Sequence, residues 1–385
     1  MTNEPAPDFI LYPDDKKIEP RCAVYGICGG CRMQDVPHSR QIAIKQNKLM
    51  ECCDHAGVQP ERLLDPLTGP AWAYRRRARL GVKNVARKGR VLVGFRERQK
   101  PYIVDMHRCE ILDPRIGERI DELSQIIGEL SIAHRVPQIE VALGDDNGAL
   151  VFRVLDTPSA ADHERLRCFG QTAGLQIHLQ PGGLDTIHSL TAPEPSLSFN
   201  LPEWDLRFEF GSVDFVQINA HINHAMVSQA MDLLKPTQDE HLVDLFCGLG
   251  NFSLPMARLG ARVTGVEGDK ALVERACHNA VLNQLGDATF VQADLYDESA
   301  EGLACLDHTD GVLLDPPRTG AANVLSWIAA SGARRVVYVS CQPESLAQDA
   351  QILTRQYGYR LSAAGIMDMF PHTLHVESMA LFERV

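Results

Sequence analysis

Residues 242–252 read Leu-Val-Asp-Leu-Phe-Cys-Gly-Leu-Gly-Asn-Phe, an apolar run that is followed directly by a glycine-rich turn. Gly248 and Gly250 allow the backbone to turn tightly and to approach a ligand closely. Further apolar runs follow, with spaces between them that are long enough for helices. This alternation predicts a parallel doubly wound sheet, and hence an α/β fold, from about residue 214 onward. The runs are 242–246, 262–267, 288–294, 311–315 and 335–340.

Polar groups stand where these predicted strands end, which is where a doubly wound sheet binds its ligands. The second strand ends at Glu267, placed to bind two ribose hydroxyls. The third ends at Asp294, placed for an adenine amino group. Asp244, beside the glycine turn, suits a cationic or zwitterionic ligand better than a pyrophosphate. This order is typical of S-adenosylmethionine methyltransferases; the alternative is an unrelated nucleotide-binding α/β domain.

The last two predicted strands indicate the methyl acceptor. The fourth ends in Asp315-Pro-Pro-Arg318, whereas amino-directed methyltransferases often carry an aromatic residue at the position of Arg318. The fifth is followed by Cys341. A thiolate that adds to C6 of uracil makes C5 nucleophilic, and a base must then remove the C5 proton. The segment 369–377 offers candidates for this base, of which histidine is the generic choice by pKa. A buried, unreactive cysteine is the alternative interpretation of Cys341.

Three further cysteines form a second motif, Cys22-x5-Cys28-x2-Cys31, with glycines that permit tight wrapping. Cys109 is the best candidate for a fourth ligand. Zinc sites usually show two separated cysteine pairs, and a cluster of three with a distant partner also suits an iron–sulfur cluster. The spacing alone does not choose between the two. The total of eleven cysteines is odd and fits a disulfide framework poorly.

The charge is distributed very unevenly. Residues 75–100 contain eleven basic residues and one acidic residue, although the whole chain carries a net charge of −12. Such a basic stripe can bind phosphates, or it can be a solvated face of a sheet. Ala78–Lys83 and Arg90–Arg96 read as two strands of a hairpin, with a turn at 87–89.

The remaining sequence sets the broad class and the other elements. Apolar residues make up 45% of the chain, which excludes a wholly disordered or fibrous protein. No apolar run reaches about 18 residues, and the acidic N-terminus is unlike a secretory signal, so a cytoplasmic protein without a membrane partner is expected. Residues 34–58 have helical periodicity, with Ile42 and Leu49 facing a core and Lys45 and Lys48 outside. Short strand-like runs and one helix, 160–172, predict a mixed or antiparallel sheet over about 67–213.

Together these motifs resemble the bacterial RNA uridine-C5 methyltransferases over nearly the whole chain. The likeness is strongest to the iron–sulfur members that act on 23S rRNA, at uracil-1939. The motifs are Cys22-x5-Cys28-Gly-Gly-Cys31, Tyr74-Arg-Arg-Arg-Ala-Arg-Leu80, Val93-Gly-Phe-Arg96, Ile103-Val-Asp105 with Cys109, Phe215-Val-Gln-Ile-Asn219, 244–252, Asp315-Pro-Pro-Arg318, Ser340-Cys341-x-Pro343 and Phe370-Pro-His-Thr-x-His-x-Glu377.

This resemblance implies specific roles. Cys341 is the expected nucleophile, and Glu377 rather than a histidine is the expected base. The implied cofactors are S-adenosylmethionine and a [4Fe–4S] cluster, and the implied partner is folded 23S rRNA with a flipped-out uridine. The cofactor-binding positions are Gln217, Phe246, Asn251, Glu267, Asp294 and Asp315, and the cluster ligands are Cys22, Cys28, Cys31 and Cys109.

The family architecture also implies a division into domains. Residues 1–20 are expected to form an extension, 21–33 with 67–213 a central mixed α+β domain that carries the cluster, and 34–66 with 214–385 the methyltransferase domain. A monomer is expected. Family members of this type usually begin with a small β-barrel that binds RNA, and the 21 residues before Cys22 are too few for it.

Other members and classes remain as alternatives. Related enzymes act on another uridine of 23S rRNA or on uracil-54 of tRNA. The absence of the barrel favours the former, whereas the local motifs favour uracil-1939. A non-catalytic RNA-binding assembly factor is a more remote alternative, and the presence of both Cys341 and Glu377 speaks against it.

Overall fold

The computed structural model describes residues 17–190, 195–297, 303, 306 and 308–385, so most of the extension predicted at 1–20 lies outside the described residues. In this part of the chain no helix is long and apolar enough to cross a membrane. The helices are α1 (His38–Ala56), α2 (Pro114–Gly117), α3 (Ile120–Gly128), α4 (Ala160–Ala173), α5 (Ala220–Leu234), α6 (Ser253–Arg258), α7 (Lys270–Leu282), α8 (Ala322–Ala330) and α9 (Pro343–Gln356).

The strands form three separate sheets within the described residues. They are β1 (Arg62–Leu63), β2 (Arg77–Val85), β3 (Arg90–Gly94), β4 (Gln138–Leu143), β5 (Gly148–Arg153), β6 (Gln176–Gln180), β7 (His188–Ser189), β8 (Leu197–Leu201), β9 (Leu206–Phe210), β10 (His241–Leu245), β11 (Arg262–Glu267), β12 (Ala288–Gln292), β13 (Gly311–Leu314), β14 (Arg335–Ser340), β15 (Tyr359–Met367) and β16 (Glu377–Arg384).

The largest sheet has eight described strands in the order β1-β15-β16-β14-β13-β10-β11-β12. The five strands from β12 to β14 are parallel, and the strand order reverses between β10 and β13. Strands β10 and β13 are buried along their whole length, as expected for strands that helices cover on both faces. The predicted α/β class and the doubly wound order are therefore confirmed.

Three strands at one side of this sheet are absent from the sequence-based prediction. β16 inserts antiparallel between β14 and β15, and β1 pairs in parallel with β15. One edge strand of the large sheet, β1, thus comes from the N-terminal part of the chain, whereas its other described strands come from residues 241–384. β1 cannot be recognised from the sequence because it is only two residues long and its side chains are exposed.

Helix α1 packs against α9 and β15, with Leu49 buried and Ile42 partly buried against the core, as predicted. Its buried residues are Gln41, Lys45, Leu49, Cys52 and Cys53. The prediction that Lys45 lies outside is therefore wrong, whereas Lys48 is exposed as expected. The buried face also contains Gln41 and Lys45, which hydrogen-bond to His372 and Asp368, and apolar periodicity alone does not reveal such residues.

A second, mixed sheet has the order β3-β2-β4-β5-β6-β7, with only β5 and β6 parallel. Its first hairpin, β2–β3, turns at Gly89 in the left-handed conformation (φ +64°), close to the predicted turn. Helix α4 begins at a capping box of Ser159 and Asp162 and matches the predicted helix at 160–172. The mixed sheet expected for this region is confirmed.

The hairpin β8–β9 packs into the same apolar core as α5 and β10. The side chains of Asn279 and Asn283, on and just after α7, hydrogen-bond to the backbone of β9. This packing favours a domain boundary before Leu197 rather than at 213. The division into domains otherwise stays a prediction.

Candidate active site and cysteine pocket

The carboxyl ends of the parallel strands are in register along one edge of the large sheet. Leu245 pairs with Val266 and with Leu314, and Glu267 pairs with Gln292. The residues that follow these pairs therefore lie side by side. This edge carries Phe246, Glu267, Asp294 and Asp315, all of which the sequence predicts at strand ends.

The glycine turn after β10 is held in an unusual conformation. Phe246 has a positive φ of +62°, a strained value for an aromatic residue, and Gly248 and Gly250 also have positive φ. The backbone N–H of Gly248 donates to the Glu267 carboxylate at 3.0 Å. Glu267 thereby ties the turn to β11 while remaining partly exposed. The Phe246 ring lies 5.8 Å from that of Tyr296, between ring centroids.

Unpaired negative charge gathers behind this turn. Asp244 is fully buried; its Oδ2 accepts a hydrogen bond from Ser253, whereas its Oδ1 has no partner among the described residues. Burial raises the pKa of Asp244 to about 7, and that of Asp315 also to about 7. An orphaned buried carboxylate oxygen is costly unless a ligand compensates it. The arrangement therefore suits a positively charged ligand, as the sequence predicts.

Two more of the expected cofactor positions meet through a residue that the sequence analysis misses. Asn223, on α5, exchanges amide hydrogen bonds with Asn251 at 2.9 and 3.1 Å. Asn223 and Gln217 line one small pocket. The position of Asn223, one helical turn after the helix cap Asn219, can be recognised in the sequence. Its pairing with Asn251 cannot, because the two residues are 28 positions apart.

Cys341 and Glu377 are neighbours across adjacent antiparallel strands. The antiparallel pairing of β14 with β16 ends at Ser340–Ser378. Cys341 follows Ser340 and Glu377 precedes Ser378, so both residues adjoin this last pair. Glu377 is buried, whereas Cys341 is partly exposed. A nucleophile and a proton acceptor thus share one point of the sheet edge.

The two groups interact electrostatically. Burial and then the nearby charge of Asp315 raise the pKa of Glu377 to about 8. Burial, followed by the charges of Glu377 and Asp315, also raises the pKa of the Cys341 thiol, and Arg318 opposes this. Cys341 lies two residues before α9, whose N-terminus favours a thiolate.

The two histidines in this region have different surroundings. His372 is buried, stacks on Trp72 with ring centroids 4.0 Å apart, and places Nδ1 3.1 Å from the Gln41 amide. Burial lowers its pKa to about 4. His375 is exposed beside Phe370. Of the three candidate bases, Glu377 is the one that adjoins the same strand pair as Cys341.

The other four cysteines line a single pocket. Cys22, Cys28, Cys31 and Cys109 line it together with apolar side chains and with Gln34 and Glu110. The N–H of Gly30 donates to the Cys28 sulfur at 3.4 Å. Among the described residues, no group of three or more His, Cys, Asp or Glu side chains is arranged to hold a metal ion.

The basic stripe of residues 75–100 is partly neutralised by the fold. Four of its side chains form close ion pairs: Arg76 with Asp145, Arg79 with Glu140, Lys88 with Asp105 and Arg90 with Asp121, at 2.6–2.7 Å. The side chains that are exposed and have no ion-pair partner within the described part of the chain are Lys83, Arg87, Arg96 and Arg98.

Comparison with known proteins shows the same similarity along the whole chain. The family model described as tRNA (Uracil-5-)-methyltransferase matches residues 196–385. The 23S rRNA (uracil(1939)-C(5))-methyltransferase RlmD of Alkalilimnicola ehrlichii is 52% identical over 377 residues, which cover 97% of this chain and 85% of the relative. The protein of the same name from Methylococcus capsulatus is 48% identical over 378 residues, with the same two coverages.

Among solved structures, the fold is similar to the Pyrococcus abyssi tRNA (uracil-54, C5)-methyltransferase in complex with S-adenosyl-L-homocysteine. The TM-score is 0.72, and the match covers 93% of this chain and 86% of that one. At 21% identity this likeness concerns the fold alone. The sequence identity to the curated relatives goes further: this chain belongs to the RlmD family of 23S rRNA (uracil-C5)-methyltransferases.

Proposed function

We propose that this protein transfers the methyl group of S-adenosylmethionine to C5 of a uracil in 23S rRNA, at the uracil-1939 site. The observation that carries this proposal is the pair of Cys341 and Glu377 at the sheet edge that carries the glycine turn. Uracil C5 is a weak nucleophile and needs both a group that adds to C6 and a base. The pair supplies one of each, and the curated relatives carry the matching name.

The chemistry follows from these two side chains. The Cys341 thiolate forms a bond to C6, and the electron pair of the C5–C6 double bond becomes available at C5. S-adenosylmethionine supplies the methyl group that C5 takes up. The ionised Glu377 carboxylate then removes the C5 proton, the double bond re-forms and the Cys341–C6 bond breaks. The cysteine is released as a thiolate, and the proton remains on Glu377 until solvent removes it.

The residues that would hold S-adenosylmethionine fit its charge and shape. The orphaned Asp244 Oδ1 and the partly exposed Asp315 offer negative charge to a sulfonium-bearing ligand. The open space beside Gly248, where an added Cβ would meet no atom within 4 Å, allows close approach of the cofactor. We assign cofactor contacts to Gln217, Phe246, Asn251, Glu267, Asp294 and Asp315.

The direct test is methyl transfer by the purified protein to unmodified 23S rRNA fragments. We expect 5-methyluridine at uracil-1939 and none in a fragment in which that uridine is replaced by cytidine. Methylation of a different 23S uridine, or of tRNA transcripts at uracil-54, would reassign the site within the same chemistry. RNA binding without any methyl transfer would support the assembly-factor alternative.

We further propose that Cys22, Cys28, Cys31 and Cys109 hold a [4Fe–4S] cluster. Each cysteine of such a cluster binds a different iron atom, so its sulfurs lie further apart than the roughly 3.8 Å expected around one zinc ion. The four cysteines line one pocket and can supply the four ligands of such a cluster. The Gly30 N–H directed at Cys28 is the kind of donor that stabilises cluster thiolates.

Removing one ligand should therefore remove the cluster and weaken the central sheet. Anaerobically purified protein should be brown with about four iron atoms per chain. Cys109→Ser should be colourless and should unfold at a lower temperature, because the cluster joins segments that are distant in sequence. Cys168→Ser, an exposed cysteine of the same region, is the matched control. A colourless wild-type protein with one stoichiometric zinc would contradict the assignment.

We also propose that the unpaired part of the basic stripe binds RNA phosphates. Lys83→Glu with Arg87→Glu should weaken RNA binding and flatten its salt dependence. The log–log slope should fall by about 0.7 for each phosphate of single-stranded RNA that the protein no longer neutralises. Both side chains are exposed, and neither is part of the cysteine pocket. Cofactor affinity should not change.

The control for this test replaces a basic residue with glutamate elsewhere on the same sheet. Arg79→Glu reverses the same charge, but its native charge is already paired with Glu140. It should change the salt slope less than the double variant does. If the salt dependence of RNA binding is unchanged in the double variant, the stripe is a solvated face of the sheet that does not bind RNA.

A further inference from the structure

The segment 368–376, which connects β15 to β16 and leads into Glu377, is held by donors from outside the large sheet. Lys45 Nζ donates to the Phe370 carbonyl at 2.9 Å. The Tyr74 hydroxyl donates to the Pro371 carbonyl at 3.1 Å. The backbone N–H groups of Arg32 and Met33 donate to the His372 carbonyl at 2.7 and 3.1 Å. The path into the proposed base is thus fixed by the N-terminal third of the chain.

Lys45 is the charged side chain in this set of donors, and it is 1% exposed. Its Nζ also donates to Asp368 Oδ1 at 2.6 Å, and Asp368 Oδ2 lies 2.7 Å from His38 Nε2. Asp368 itself is fully buried. Buried lysines are rare, and taking both charges out of water is costly. Two apolar side chains would fill the same space without this desolvation cost. The buried charge of Lys45 therefore points to a role beyond packing.

The surroundings of Glu377 suggest that reason. Burial is the main influence that keeps this carboxyl neutral, and Asp315 adds to it, whereas Arg318 and Lys45 favour the ionised form. The proposed reaction needs the ionised form, because only a carboxylate can accept the C5 proton. The titratable or charged groups that bear on Glu377 from the surrounding elements are Asp315 and Arg318 after β13, Cys341 after β14, and Lys45 on α1.

We propose that Lys45 is a positioning residue for Glu377, acting through its hydrogen bond to the Phe370 carbonyl and through its buried positive charge. This inference rests on the proposed function, in which Glu377 removes the C5 proton. Asp368, the partner of Lys45, holds the ammonium group in place, and His38 completes the pairing at the surface. The N-terminal segment thereby contributes to a catalytic step carried out by the C-terminal strands.

The proposal predicts an effect on one step of the reaction and on its pH dependence. In Lys45→Met the stem is kept and the charge is lost, so Glu377 ionises only at higher pH. The resolution of the covalent protein–RNA adduct should then require a higher pH, because Lys45 favours the ionised form of Glu377. Formation of the adduct should be affected much less, because it depends on Cys341.

The experiment measures adduct resolution in single turnovers with full-length protein, S-adenosylmethionine and a 23S rRNA fragment, over a pH range of roughly 6 to 10 that brackets carboxylate ionisation. RNA carrying deuterium at C5 identifies proton removal as the observed step. Because Lys45→Met leaves Asp368 without its ammonium partner, Lys45→Met/Asp368→Asn is measured beside it as a variant without an orphaned charge. Lys48→Met, on the exposed side of α1, is the matched control.

We expect both Lys45 variants to move the midpoint of resolution upward, to accumulate adduct at neutral pH, and to recover near wild-type rates at alkaline pH. Lys48→Met should behave as the wild type. Resolution that is slower by the same factor at every pH, with an unmoved midpoint, would reduce Lys45 to a structural residue and overturn the proposal. Failure of the proposed function looks different, since the wild-type protein would then form neither adduct nor 5-methyluridine.

Discussion

Cys341→Ala should abolish methyl transfer. Without a bond to C6, the C5 carbon of uracil stays too weak a nucleophile to take a methyl group from the cofactor. Removing the nucleophile of a covalent mechanism lowers rates by factors on the order of 10⁶, which in practice means loss below detection. The measurement is transfer of labelled methyl groups to a 23S rRNA fragment at saturating cofactor. RNA binding should be retained, because the change removes one sulfur from a partly exposed position.

A second substrate tests the role of Cys341 through a covalent product that can be isolated. RNA with 5-fluorouridine at the target should trap wild-type protein as a stable adduct, because fluorine cannot leave as a proton does. Cys341→Ala should form no such adduct. Cys277→Ala, which removes an exposed cysteine of α7, is the matched control and should remain active. Full activity of Cys341→Ala would mean that the acceptor is activated in some other way.

Glu377→Gln should still form the adduct and methylate C5, and then stall. The amide keeps the size of the side chain but cannot accept the C5 proton, so the cysteine cannot be eliminated. General base catalysis contributes about 10²–10⁴-fold, and turnover should fall by that factor. The distinctive result is a long-lived protein–RNA adduct with ordinary, unfluorinated RNA, seen as a shifted band in a denaturing gel.

The pH dependence of the wild type provides an independent check. The pKa of Glu377 is raised to about 8 by burial and then by Asp315, and the carboxyl must be ionised to act. Adduct resolution should therefore speed up as the pH rises through about 8, and this rise should be absent in Glu377→Gln. If His375→Ala accumulates adduct and Glu377→Gln does not, the base has been assigned to the wrong residue.

The sequence predicts the parallel part of the sheet and its edge well, for a physical reason. In parallel sheets the strands are buried on both faces, so each reads as a short apolar run, and a polar residue at its end is conspicuous. Asp244, Glu267, Asp294 and Asp315 can be placed in this way. The role of Glu377 cannot be obtained from chemistry alone, since histidine fits the pKa requirement better. Glu377 lies near Cys341 because β16 inserts beside β14. The apolar pattern of the sequence does not predict this insertion.

Other features are out of reach because they depend on partners far away in the chain. Periodicity places Lys45 outside because a lysine on an amphipathic helix normally is, and its partner Asp368 is 323 positions away. The basic stripe looks like free charge in the sequence, whereas its partners Glu140 and Asp145 come from the next strand pair and its loop. A composition count measures charge, but only the fold shows which charges remain available to RNA.

The pairing of β1 with β15 has a consequence for how the protein is made. A ribosome delivers residues 61–67 long before their hydrogen-bond partners between Leu361 and Ile366. During that interval the early segment waits with unpaired backbone groups, and such long-range contacts form slowly. A polypeptide that began at residue 196 would carry the whole parallel sheet, yet β15 would be left as an open edge of the kind that promotes aggregation. The sheet is therefore completed only once β15, as well as β1, has left the ribosome.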